Sequence, residues 1–113
     1  NIPWDFDKLM YHDGEAGLIG PNDIIHKLLQ NDSCVAMYKR ALWHVIDHVV
    51  VPEKIFPVLD AFSSRIAEAH ALDPYLGAAG ILLTDESNRL KENLIERRAY
   101  FRRNIETITR LPR

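Results

Sequence analysis

A chain of 113 residues, 47% apolar and with a net charge of -2, is sized for one globular domain. That composition excludes a disordered polymer, and the near-neutral balance gives no basis for a nucleic-acid or acidic partner. A single cysteine, Cys34, excludes an intrachain disulfide, and no run of apolar residues is long enough to span a membrane.

Residues 1–21 read as an irregular arm, punctuated by Gly14, Gly17, Gly20 and Pro21, with Ile2 to Phe6 suited to a short strand. No signal-peptide pattern is present and Asn1 is not an initiator Met, which reads as a processed or excised segment. From Asn22 the period changes. Asn22 or Asp23 can cap a helix over 22–31, with Ile24, Ile25, Leu28 and Leu29 on one face. A second helix over 33–50 is capped by Asp32 or Ser33 and buries Val35, Tyr38, Leu42, Val45, Ile46 and Val49. Trp43, within that stripe, is expected to be at least partly buried. Pro52 stops this helix and suits the first turn of the next, over 53–72, where Pro57 interrupts or delays the start. Its expected core face is Leu59, Phe62, Ile66 and Ala69. "DPYLGAAGILL" reads as a connector. The last helix, over 84–110, opens at Thr84 or Asp85 and carries Leu90, Leu94, Phe101, Ile105 and Ile108 inward. The sum is a mostly α, single domain over 1–113, behind the arm.

Four groups of residues bear on chemistry. His44 and His48 stand at i and i+4, a spacing at which two imidazoles can share a metal. "HVIDH" has Val45 where a zinc protease needs its glutamate, and no third ligand is in view, so surface histidines are the simpler reading. Arg97, Arg98, Arg102 and Arg103 make the last helix basic and aromatic-bearing, but Glu92 and Glu96 precede them at pairing distance. Ser63-Ser64 has no histidine nearby in sequence to activate a nucleophile, and Cys34 reads as a small half-buried thiol. In "PWDFDKLMYHD", Asp5 and Asp7 are spaced to share a hard divalent cation that clamps phosphates, and Trp4 or Phe6 can wall a base. A solvated turn, with Trp4 packed on the helices, is the alternative.

"PWDFD", then "DIIHKLLQNDSCVAMYKRALWHVIDHVVVPEKIFPVLDAFSSRIAEAHALDPY", then "RLKENLIERRAYFRRNI" resembles the C-terminal part of the spore coat protein H (CotH) kinase family. The order and rough spacing match over nearly the whole chain. The Trp-Asp-x-Asp segment is the more specific part. The resemblance implies the helical C-terminal subdomain of a divergent protein-kinase-like fold, in a protein that uses ATP and Mg²⁺ to phosphorylate serine residues of a protein substrate. It places Trp4 near the nucleotide, and Asp5 and Asp7 at the metal–phosphate site. Asp5-Phe6-Asp7 also echoes, by analogy, the Asp-Phe-Gly segment whose aspartate binds Mg²⁺. The family often has Gly soon after the second aspartate, whereas Lys8-Leu9-Met10 follow here. The phosphate-gripping loop, nucleotide-binding lysine and catalytic base belong upstream and have no counterpart in this sequence.

The expectation is therefore the C-terminal portion of a larger kinase-like protein, inactive alone, whose partners are a protein substrate and either an N-terminal portion or a second copy. Neither nucleic acid nor membrane is expected, and the spore coat or export enters through the resemblance alone. Two other classes compete. One is a helical interaction module presenting Arg97, Arg98, Arg102 and Arg103; the other is a small metalloprotein using His44 and His48.

Overall fold

The computed structural model describes residues 17–78, 80 and 82–113, and every regular element among them is helical. The expected arm lies almost wholly outside these residues, as does its expected strand.

Helix α1 spans Asp23–Leu28 and α2 spans Asp32–His44. Both begin on an asparagine in extended conformation. Asn22 Oδ1 accepts from the amides of Ile24 and Ile25 at 3.0 and 3.2 Å, and Asn31 Oδ1 accepts from Ser33 at 2.9 Å. Each side chain satisfies amides that the first helical turn leaves without a carbonyl. The cap of α2 is thus one residue before the expected Asp32.

At its C-terminal end α2 widens into a π turn, Val45–Val49, in which the Val50 amide reaches back to the Val45 carbonyl at 2.8 Å. Proline then sets the boundary. Val51 is extended, as a residue before proline prefers, and Pro52 occupies the first turn of α3, Pro52–Leu72. Pro57 does not break α3. It stands near the N-terminal end, where the hydrogen bond it forfeits is to Glu53 in the opening turn.

Asp73 ends α3 and begins α4, Pro74–Ala78, its Oδ1 accepting from Tyr75 and Leu76 at 2.8 and 3.2 Å. The first half of the expected connector is therefore helical. Gly80 follows at φ +67°, a left-handed turn that a side chain would strain. Helix α5 runs Leu83–Asn104 without a side-chain cap and passes into a single 3₁₀ turn, Ile105–Thr107. Thr84 and Asp85 are inside it rather than before it.

The core sits at one end of the molecule. Leu29, Val35 and Ile108 are buried together, with Leu18, Ile19, Ile25, Tyr38, Leu42 and Leu111 packed around them. The Leu111 amide donates to the Leu29 carbonyl at 3.0 Å, tying the C-terminal segment to α1. Ile46, Leu94 and Ile105 are also buried and Trp43 is half-buried, whereas Val45 and Val49, expected in the same buried stripe, are exposed on the π turn.

Helix α3 departs from expectation. It packs against α5 with Ile55, Phe56, Leu59 and Ser63 half-buried, and a polar groove lined by Asp60, Ser63, Ser87, Asn88 and Lys91 runs between the two helices. Lys91 Nζ pairs with Asp60 and also stands 5.4 Å from the centre of the Phe56 ring. The expected core residues Phe62 and Ile66 are 60% and 47% exposed, and Ala69 is exposed as well. Periodicity identifies an apolar stripe but not the neighbour that covers it. Leu59, by contrast, is half-buried together with Ile55 and Phe56, so the covered side of α3 is rotated away from Phe62 and Ile66.

Candidate functional site

Trp4, Asp5 and Asp7 lie outside the described residues. The structure does describe where the arm joins the helices. The Tyr38 hydroxyl donates to the Leu18 carbonyl at 2.7 Å, Arg97 donates to the Gly17 carbonyl at 3.4 Å, and a His26 ring nitrogen lies 2.9 Å from the Gly20 carbonyl. Three helices thus fix the root of the segment. Beside it runs a groove of about 350 Å³ that includes Leu18, Ile19, Tyr100, Asn104 and Ile108. The Arg97 guanidinium lies over the Phe101 ring at 4.7 Å and the Tyr100 ring at 5.3 Å, so a cation–aromatic cluster stands at the same place.

The densest polar cluster forms where the π turn meets the end of α5. A π turn shifts the hydrogen-bond register by one residue, so carbonyls near its end lack helical partners. Arg98 supplies them, its Nη1 donating to the carbonyls of Ile46 and Val50 at 2.6 and 2.7 Å. Lys54 Nζ donates to the His48 carbonyl. Arg102 donates to Asp47 at 2.6 Å and lies 6.0 Å from the centre of the Trp43 ring. Glu106 closes the cluster, accepting from Trp43 Nε1 at 2.8 Å and from Lys39 Nζ at 3.3 Å. The Trp43 hydrogen bond, then Lys39, hold its carboxyl below the ordinary 4.5, against a smaller opposing effect of burial.

These contacts reassign residues that the sequence left open. Arg98 and Arg102 are tied to the π turn, though Arg102 stays half exposed, so of the four arginines expected to form a surface on α5 two also brace the fold. His44 and His48 are both exposed, with ring centres 5.1 Å apart. No group of three or more potential metal ligands occurs among the described residues. Ser63 and Ser64 border a groove of about 470 Å³ between α3 and α5, together with Ser87, Asn88, Asp60 and Lys91. Hydroxyls, an amide and an ion pair can bind a polar molecule there, but no histidine lines the groove to activate a serine. Cys34 is half-buried in a separate apolar groove with Ile25, Leu28, Met37 and Ala41. No helix among the described residues is long and apolar enough to cross a membrane. The bracing role of Arg98 and the Trp43–Glu106 bond had no signal in the sequence, since each joins residues about half a chain apart.

No family model, curated protein or solved structure matches the chain. What the described residues define is a helical scaffold with its core at one end and a basic, aromatic cluster at the root of the N-terminal arm.

Proposed function

We propose that this chain is the C-terminal helical portion of a CotH-like atypical protein kinase, which transfers the γ-phosphoryl group of ATP to serine residues of a protein. The observation that carries the reading is the Trp-Asp-x-Asp segment, followed in order by helices whose sequences resemble that family's C-terminal region. The helical architecture is consistent with it. In this reading Asp5 and Asp7 hold Mg²⁺ and Trp4 lines the nucleotide pocket. The cation would neutralise developing charge on the transferred phosphoryl group.

The test is made in the parent protein with radiolabelled ATP, Mg²⁺ and a serine-bearing protein substrate. Asp5→Asn and Asp7→Asn should each abolish transfer while leaving the unfolding midpoint near that of the parent, because each removes charge and keeps shape. Near-parental activity in both variants at saturating Mg²⁺ defeats the proposal.

A second reading, a non-catalytic helical interaction module, draws on the apolar side of α3. Val58, Phe62 and Ile66 stand at i, i+4 and i+8 and are each about half exposed. This version relies on α3, because Arg98 and Arg102 are engaged within the fold. A parent protein that binds a partner through α3 and lacks phosphoryl transfer would favour it.

A further inference from the structure

We propose that His44 and His48 form a two-imidazole clamp for a divalent zinc-like cation on the outer face of the π turn. The inference is independent of the kinase reading.

In an α-helix residues i and i+4 are about 6 Å apart along the axis. Here His44 closes α2 and His48 stands in the π turn, so the pair spans the junction of the two windings. Their ring centres are 5.1 Å apart. Zinc binds an imidazole nitrogen at about 2.0–2.1 Å, and so stands about 3.2 Å from that ring's centre. Rings 5.1 Å apart subtend about 106° at such an ion, close to the tetrahedral angle that zinc prefers. Both side chains are exposed, so each ring is free to turn a nitrogen toward the shared position.

The backbone beneath the pair is held from two directions. Arg98 fixes the carbonyls of Ile46 and Val50, and Lys54 fixes the carbonyl of His48. Asp47 lies between the two histidines but is committed to Arg102. The imidazoles themselves make no hydrogen bond to any described residue. The backbone beneath the pair is thus braced, while the rings lack the outer-shell hydrogen bonds that usually orient a ligating histidine, so the ion itself would fix their orientation. The clamp supplies two of zinc's four ligands and water would fill the other two positions, one protein ligand fewer than a catalytic zinc site holds.

The experiment is a zinc titration of the 113-residue chain at pH 7.5, followed by calorimetry and by imidazole nitrogen NMR. Binding should perturb the His44 and His48 rings together in one saturable event. His44→Ala and His48→Gln should each weaken that event at least about tenfold, the lower bound for losing even an outer-shell partner. His26→Ala should leave it unchanged. The ring signals come from the unaltered chain, so they decide the matter even if a variant folds poorly. Zinc that perturbs other histidines and leaves this pair unmoved, or folded variants that bind as tightly as the parent, would overturn the proposal.

Discussion

Arg98 does the work of a missing hydrogen-bond ladder. Its guanidinium bonds two carbonyls that the π turn leaves over, from a residue half-buried on another helix. Arg98→Met keeps the stem and removes both bonds. It should destabilise the fold by about 1–3 kcal/mol, the usual cost of orphaning such groups, read from urea unfolding. Arg98→Lys should recover part of that loss, since an ammonium lacks the planar fork. Glu106 makes a different contribution. Its carboxyl is held below its ordinary 4.5 in the folded chain, so the ionised form favours folding. That contribution is present above the ordinary glutamate range and is lost as pH falls through the lower, folded value. The carboxylate is exposed, so solvent screening keeps the effect small. Glu106→Gln should lower stability slightly at neutral pH and leave it unchanged at low pH, which flattens the acid limb of the stability–pH curve relative to the parent. An unchanged acid limb would show that the bonds to Trp43 and Lys39 do not favour the ionised form.

At the scale of elements, Pro57 is the clearest local conflict. It lies inside α3 and withholds a donor from the Glu53 carbonyl. Pro57→Ala should stabilise the chain by about 1–2 kcal/mol, less than the full interior penalty because the site is near the helix start. A lower urea midpoint in the variant would contradict this account. Periodicity revealed much of the helical layout: Val35, Ile46 and Leu94 are buried as their spacing predicts, whereas Val45 and Val49 are exposed, and Ile105 and Ile108 are buried beyond the end of α5, in a 3₁₀ turn and an extended residue rather than in the helix expected to reach 110. The π turn was not legible, because its cause is an extra residue accommodated by Arg98, 52 positions away from Ile46. Helix α4 was hidden by the glycines of "LGAAG", which mark turns as readily as short helices. The outward stripe of α3 was misread because amphipathicity names an apolar face and not its neighbour. Of the candidate site, sequence offered Trp4, Asp5 and Asp7, which the described residues do not include. It also offered the His44–His48 spacing, but ring separation had to come from the structure.

The molecule as a whole is long and lopsided. Its principal extents are 54 × 27 × 21 Å and its radius of gyration is 17.6 Å. A compact chain of this length would have a radius near 13 Å, by the scaling of about 2.2·N^0.38. Helices α3 and α5, of 21 and 22 residues, are the longest elements and pack along each other. No residue of α3 is fully buried, whereas α2 buries Val35 and continues into the turn that buries Ile46. Such an arrangement does not open as one unit. Amides in the second half of α3, from about Ser64 to Leu72, should exchange with deuterium through local fraying, ahead of global unfolding. Those between Val35 and Leu42 should exchange only when the whole core opens, a separation readable by native-state exchange in low denaturant. Uniform protection along α3 and α2 would contradict it. The far end of the pair would then be the first place for a protease to cut, leaving the α1–α2 core and the C-terminal segment bound to it as the resistant remainder.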